Sequence, residues 1–121
     1  MLDILSARVS LARESWGEFL TDVVPVAVEF NSFKLKLVLI NGSTLRIEEH
    51  YSQGVLGRYA YYLLDPQGNL IVGWDNAPHH IWLPNFPHHK HIGRKNKREP
   101  SFETTLEDVL AIVKKQVTAT S

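Results

Sequence analysis

The sequence predicts a two-layer α+β domain in which two helices cover one face of an antiparallel sheet. Three observations support this class. Apolar residues recur at helical spacing near each end of the chain, they alternate with polar residues in the middle, and short turn motifs separate the alternating stretches. Residues 1–121 are expected to form one domain, because this length is typical of a single hydrophobic core.

The first element is an amphipathic helix that starts at Leu2. Its apolar side repeats at steps of three and four residues, as expected of a helix packed on a sheet. The residues of this side are Leu2, Leu5, Val9, Ala12, Trp16, Phe19 and Leu20. Because glycine is a poor helix former, Gly17 weakens the last turn, and the helix is expected to stop near Trp16.

About five strands follow, each bounded by turn residues. Their expected ranges are 26–30, 33–39, 45–51, 56–64 and 70–75. Apolar and polar residues alternate in 33–39, which indicates a half-buried strand. The sequence Asp65-Pro66-Gln67-Gly68 has the residues of a type I turn and joins the last two strands. These features predict an antiparallel meander.

The turn at Asn41-Gly42 predicts a hairpin, and its register depends on the loop length. A three-residue loop, 41–43, pairs Leu39 with Leu45 and brings apolar residues opposite one another. A two-residue loop would place leucines opposite polar residues, because a slip of one residue turns every side chain to the other face. The longer loop is therefore favoured. It also places Glu49 on the apolar face, where a carboxylate is out of place.

A capping box marks the start of the C-terminal helix, with Thr104 as the N-cap and Glu107 three residues later. The apolar side of this helix consists of Leu106, Val109, Leu110, Val113 and Val117. If both helices cover one face of the sheet, the other face can remain solvated or bind a ligand. That other face is expected to carry Lys34, Lys36, Arg46, Glu48, His50 and Arg58.

Between the last strand and this helix lies a stretch, residues 74–98, that is expected to be an irregular His-rich loop. Five of the six histidines are in it, at His79, His80, His88, His89 and His91. Its five Lys and Arg residues are Lys90, Arg94, Lys95, Lys97 and Arg98. A proline-stiffened segment with imidazoles and fixed cations is poorly suited to a core. It is well suited to hold proton donors beside an anion.

These residue types fit acid/base catalysis on a phosphodiester. Cleavage of RNA through its 2′-hydroxyl needs a group that accepts that proton, a group that protonates the leaving 5′-oxygen, and a cation that stabilises the charge on the phosphate. Histidine can carry out either proton transfer near neutral pH, and Lys or Arg supplies the charge. Tyr59, Tyr61 and Trp82 could stack on bases. Any other phosphorylated substrate would satisfy the same requirements.

Three other interpretations remain open. The histidines and Asp75 carry enough nitrogen and oxygen atoms for a metal-dependent hydrolase, although their spacing matches no common zinc motif and Lys90 and Arg94 would repel a cation. A non-catalytic module could instead dock on RNA or on a protein through the basic run 94–98. Any single histidine could also have only a structural role in a loop.

The composition excludes several classes of protein. The chain has no cysteine, which excludes disulfides, thiolate metal sites and a cysteine nucleophile. No apolar run is long enough to span a bilayer, and the N-terminus lacks the basic and apolar regions of a signal peptide. We therefore expect a cytoplasmic protein without a membrane segment.

Several blocks of the sequence, in this order, resemble the TumE family of small toxins from toxin–antitoxin pairs: NGSTLRIEEHY, RYAYYLLDPQGNLI, WDNAPHH, FPHHKH and SFETTLEDVL. The resemblance covers residues 43–117, and DNAPHH and FPHHKH are its specific parts. It departs at Asn41, where such sequences often have Asp. It implies a cytoplasmic prokaryotic toxin that is neutralised by a cognate antitoxin, often a helix-turn-helix protein. The functional positions that it implies are Asp75, Asn76, His79, His88, His89, Lys90 and His91.

Together, the residues and the resemblance predict a metal-independent ribonuclease that needs no cofactor and acts on RNA. His88 or His91 would be one member of the acid/base pair and His79 the other, with Asp75 orienting an imidazole. The residues expected to hold the phosphate or the rest of the substrate are Lys90, Arg94, Lys95, Lys97, Arg98 and Trp82. This hypothesis requires the two histidine blocks to face each other across a positively charged hollow.

Overall fold

The structure, a computed structural model, describes residues 1–77, 87–93 and 97–119. Helix α1 spans Leu2–Trp16 and is followed by a short 3-10 turn, Gly17–Phe19. Seven strands come next: β1 (Leu20–Val28), β2 (Ser32–Leu39), β3 (Thr44–Ser52), β4 (Val55–Leu64), β5 (Leu70–Asp75), β6 (His89–Ile92) and β7 (Lys97–Pro100). Helix α2 spans Leu106–Ala119.

The seven strands form one antiparallel sheet in chain order, and the two helices pack on one of its faces. The indole N–H of Trp16 in α1 donates to the carbonyl oxygen of Leu110 in α2 at 3.0 Å, which joins the helices. The predicted α+β class, with a helix at each end of an antiparallel meander, is confirmed. Among the described residues, no helix is long and apolar enough to cross a membrane.

The predicted number of strands is too low, because the stretch expected to be an irregular loop contains β6 and β7. In β6, His89 and His91 are buried while Lys90 and Ile92 are half-buried, so the strand has the period of two that is typical of a sheet. The sequence hides this period, because histidine counts as polar and four residues are too few for a pattern.

Strand β1 begins at Leu20, earlier than the predicted range 26–30, and includes Pro25. Proline lacks the N–H that a central strand needs, but β1 lies at the edge of the sheet. The register with β2 also shifts between Pro25 and Ala27, as in a β-bulge. The edge position explains why proline does not end this strand.

The hairpin between β2 and β3 has a three-residue loop, but the loop is 40–42 and not 41–43. Leu39 N–H donates to Ser43 O at 2.8 Å, and Gly42 N–H donates to Leu39 O at 2.9 Å. Gly42 has φ 87°, which identifies it as the left-handed residue at the end of such a loop. Leu37 therefore pairs with Leu45, and the predicted register is wrong by two residues. A shift of two keeps every side chain on its predicted face.

Helix α2 begins one residue later than predicted. The N–H of Asp108 donates to the hydroxyl of Thr105 at 3.2 Å, so Thr105 and not Thr104 is the N-cap. The side chain of Asp108 accepts from the N–H of Thr104 at 3.4 Å, which is the return contact expected of Glu107 in the predicted box. The predicted apolar side is confirmed, since Leu106, Val109, Leu110, Val113 and Val117 are all buried.

The face of the sheet opposite the helices is called the open face below. Its side chains alternate along each strand with those of the core. On β2, β3 and β4 it carries the polar residues that the sequence predicted, all of them exposed or half-buried: Lys34, Lys36, Arg46, Glu48, His50 and Arg58.

Candidate functional site

Strand pairing brings one carboxylate and two imidazoles together on the open face. Asp75, the last residue of β5, pairs with Ala60 of β4 and with His89 of β6. His91 pairs with Gly73, two residues before Asp75. Because residues paired across an antiparallel ladder point to the same face, Asp75, His89 and His91 form one cluster there.

The cluster is tight and largely shielded from solvent. His89 Nε2 lies 2.8 Å from Asp75 Oδ1, and His91 Nε2 lies 2.9 Å from Asp75 Oδ2. The two imidazole centroids are 4.9 Å apart and the rings are inclined at 71°. The side chains of Asp75, His89 and His91 are 9%, 3% and 11% exposed. One carboxylate thus holds two imidazoles in fixed positions.

The contacts of His89 constrain its protons. Its Nδ1 lies 3.0 Å from the carbonyl oxygen of Pro87, which can only accept a hydrogen bond, so Nδ1 carries a proton. Its Nε2 faces a carboxylate oxygen of Asp75, which when ionised is also only an acceptor. The contact therefore holds either a proton shared between the imidazole and the carboxyl group or a cation bound by both.

Two further groups donate to Asp75. The backbone N–H of Ala77 donates to Oδ1 at 3.0 Å, and the hydroxyl of Tyr62 lies 3.5 Å from Oδ2. The Tyr62 ring lies above Gly73, where an added Cβ would collide with it. Burial and the charge of Asp75 raise the pKa of Tyr62, so its hydroxyl keeps the proton that it donates. Gly73 is therefore needed to let Tyr62 reach the carboxylate.

Asn76, a functional position according to the resemblance, bonds to the backbone of β4. Its Oδ1 accepts from the N–H of Tyr59 at 2.9 Å, and its Nδ2 donates to the carbonyl of Gly57 at 2.7 Å. These bonds continue the pairing of β4 with β5 past its last ladder pair, Ala60 with Asp75. Asn76 thus fixes the end of β5, and with it Asp75.

A pocket of about 400 Å³ opens beside the cluster. Two exposed arginines line it, Arg58 of β4 and Arg98 of β7, together with the half-buried Glu48 of β3. Tyr62 forms part of the wall. Two fixed cations around a cluster of proton-carrying groups are a suitable environment for an anionic substrate such as a phosphate.

The alternation of β6 separates residues that the sequence grouped together. His88 contacts Tyr59, whose buried side chain lies on the helix-covered face, with 2.8 Å between His88 Nδ1 and the hydroxyl. Burial and the nearby charge of His89 lower the pKa of His88. Lys90 lies on the same side, with its Nζ 3.9 Å from Glu103. The structure therefore joins His89 and His91 to Asp75, and places His88 and Lys90 elsewhere.

Of the remaining expected site residues, one faces the pocket, one does not, and the others lie outside the described part of the chain. Arg98 pairs with His91 and faces the pocket, whereas Lys97 lies 3.6 Å from Glu99. His79, His80, Trp82, Arg94 and Lys95 lie outside the described residues. Tyr62 was not expected at the site. The alternation of β4 could have indicated it, because Tyr62 follows Ala60, the ladder partner of Asp75, by two residues.

Comparison with known proteins gives one result. A family model described as Toxin TumE matches residues 13–117. The matched range contains all seven strands and most of α2. No curated protein matches the chain. No solved structure matches it either.

Proposed function

The chain belongs to the TumE family of toxins, and from that premise we propose that it cleaves RNA in the pocket around Asp75, His89 and His91. One observation carries the proposal: two imidazole Nε2 atoms converge on one buried carboxylate, beside two exposed arginines. These are the groups that cleavage of a phosphodiester requires. Membership of a toxin family implies an antitoxin partner in general, and we propose a helix-turn-helix protein for that role.

In the metal-free form of this reaction, the histidines transfer the protons. His89 breaks its contact with Asp75 and transfers the Nε2 proton of that contact to the leaving 5′-oxygen. His91 accepts the proton of the 2′-hydroxyl, and Asp75 holds both rings in position. Arg58 and Arg98 stabilise the charge that develops on the phosphate oxygens.

Sequence features outside the described residues complete this proposal. His79 is proposed as a further acid or base, because the resemblance implies a functional role for it. The proposed substrate ligands in this part of the chain are Arg94, Lys95 and Trp82. The first positions to test are those that line the pocket: Asp75, His89, His91, Arg58 and Arg98.

A metal-dependent hydrolase is a second candidate, favoured by a specific observation. The ligand atoms of Asp75, His89 and His91 all lie within 4.8 Å of one another. The bond from His89 Nδ1 to the carbonyl of Pro87 is also the kind of contact that orients a metal-bound histidine. A divalent ion held by these three residues would generate a hydroxide nucleophile or stabilise charge on the phosphate. The low exposure of both rings suits ligands better than groups that must touch the substrate.

Incubation of the purified protein with RNA, with and without EDTA, tests the function and separates the two forms. The wild type is expected to cleave RNA, and a His89→Ala/His91→Ala variant is expected to be slower by about 10²–10⁴-fold. His50→Ala is the matched control, because His50 is an exposed histidine on the same face that contacts Glu48. It is expected to retain full activity.

The products and the chelator then decide the mechanism. Cleavage that survives EDTA and leaves a 2′,3′-cyclic phosphate supports the metal-free form. Cleavage that stops with EDTA and returns with a divalent ion supports the metal form. Absence of cleavage by the wild type, or equal cleavage by the double variant, would rule out both. Salt-dependent RNA binding without cleavage would instead indicate a non-catalytic binding module.

A further inference from the structure

The open face carries cations well beyond the pocket. They come from four strands: Lys34 and Lys36 from β2, Arg46 from β3, Arg58 from β4 and Arg98 from β7. Lys36 pairs directly with Arg46, and Arg98 pairs with His91 of the cluster. The positive charges therefore form a row across the sheet, and the pocket lies at one end of that row.

The acidic residues of this face do not neutralise the row. Glu48 lies 3.1 Å from His50 and also lines the pocket. Its 3.9 Å contact with Lys34 joins side chains that are 58% and 36% exposed, so it is weak and a phosphate can replace it. Asp22, on the edge strand, accepts a bond from the neighbouring backbone N–H of Val23. Within the described residues, Lys36, Arg46, Arg58 and Arg98 form no ion pair with an acid. Four cations thus remain available to a polyanion.

An aromatic ring lies in the middle of the row. Tyr62 pairs with Arg46 on one side and with Gly73 on the other. Its ring is half-buried over Gly73 and its hydroxyl points to Asp75. Sheets that bind single-stranded RNA stack unpaired bases on aromatic side chains, while cations beside them contact the phosphates. Tyr62 offers such a ring next to the cluster.

The dimensions of the face suit a short single strand. Adjacent strands lie about 4.8 Å apart, so the distance from β2 to β6 is about 19 Å. A few nucleotides of extended RNA cross that distance. A duplex would present its bases inward and could not use Tyr62, which favours a single strand over a double helix.

We infer that the open face is a binding track for single-stranded RNA, in which Lys34, Lys36 and Arg46 hold phosphates, Tyr62 stacks on a base and the strand enters the pocket beside Asp75. The inference rests on the proposed function for the reaction at the end of the track. The binding itself does not depend on that reaction. It adds substrate contacts on β2 and β3, far in sequence from the His-rich segment.

Binding of a fluorescein-labelled single-stranded RNA, measured by fluorescence anisotropy over a range of salt concentrations, tests the track. The RNA carries 2′-O-methyl groups, so that it cannot be cleaved through its own 2′-hydroxyl. The Lys34→Gln/Lys36→Gln/Arg46→Gln variant is expected to bind about tenfold more weakly or worse at low salt. Its slope of log K against log salt should fall by about two, since each phosphate contact on a single strand contributes about 0.7.

An Arg13→Gln/Lys114→Gln/Lys115→Gln variant is the matched control, because it removes three exposed cations from the helices. It should bind almost as well as the wild type. Tyr62→Leu provides a second arm: it should weaken binding while leaving the salt slope unchanged, because stacking involves no charge. Thermal unfolding of each variant confirms that the fold is intact.

Three results would overturn the track: equal weakening by the track and control variants, an unchanged salt slope in the track variant, or duplex RNA that binds as tightly as the single strand. The two proposals fail in distinguishable ways. Track-dependent binding without cleavage of an unmodified RNA contradicts the proposed function alone. Normal cleavage with an unchanged KM in the track variant contradicts the track alone.

Discussion

A single buried carboxylate, Glu49, shows how one residue can tie a helix to a sheet. The sequence placed it on the apolar face, and there it is fully buried. Arg8 of α1 donates to it at 2.9 and 3.2 Å, the hydroxyl of Tyr51 donates at 2.9 Å, and that of Tyr61 donates at 2.5 Å. Burial opposes the charge of Arg8, but Glu49 outweighs it and raises the pKa of the guanidinium. The carboxylate therefore links helix α1 to the sheet.

Removal of the cationic partner should be costly. Arg8→Met is expected to lower the free energy of unfolding by about 3–5 kcal/mol, because it leaves a buried carboxylate without its counter-charge. Glu107→Gln is the control: Glu107 also contacts Arg8, at 3.1 Å, but its side chain is 54% exposed. That variant should lose less than about 1 kcal/mol. Urea unfolding measures both, and similar losses in the two variants would contradict this role.

The tyrosines beside Glu49 predict a loss of stability at alkaline pH. Burial and then Glu49 raise the pKa of Tyr51 from 10.0 to about 12, and the same causes raise the pKa of Tyr61. The folded-state pKa thus exceeds the unfolded value, so the stabilisation is complete below pH 10 and is lost as the pH rises toward 12. Unfolding midpoints against pH, with ultraviolet absorbance of tyrosinate, provide the measurement. Ionisation of all native tyrosines near pH 10 would refute it.

At the level of elements, long periodic segments were predictable and short polar ones were not. The end of α1 near Gly17, the range of β5 and the apolar side of α2 follow from periodicity and breakers. Strands β6 and β7 could not be predicted in this way, because each has only four residues, too few to show a clear alternation of apolar and polar positions. The N-cap of α2 was misplaced by one residue because Thr104 and Thr105 are adjacent and carry the same capping side chain. The β2–β3 loop was misplaced because Leu37 opposite Leu45 satisfies the apolar pairing as well as Leu39 would.

The close approach of β4 and β5 predicts a sensitive glycine. Gly73→Ala should displace Tyr62 from Asp75, since the new Cβ would occupy the space of its ring. We expect a loss of about 1–3 kcal/mol in stability from overpacking, together with slower RNA cleavage. Gly57→Ala, on β4, is the matched control, because its Cβ would make only an ordinary contact, at 3.5 Å from His50 O. Wild-type stability and activity in Gly73→Ala would contradict the role of Tyr62.

At the level of the whole molecule, a neutral chain divides its charge between two faces. Its 13 Lys and Arg residues equal its 13 Asp and Glu residues, yet the open face collects cations while the helices cover the other face. The sequence identified Asp75, His89 and His91 as candidates but could not separate them from His88 and Lys90. The separation arises because alternate residues of β6 point to opposite faces of the sheet. It can be predicted only if these residues are first recognised as a strand.

The order of the strands also determines when the cluster can exist. The carboxylate belongs to β5, but both imidazoles that hold it arrive on β6, and Arg98 follows on β7. A polypeptide interrupted before residue 89 contains Asp75 and neither of those rings. A ribosome must therefore pass residue 91 before the nascent chain carries all three members of the cluster, and chains interrupted earlier are expected to lack the activity of this pocket.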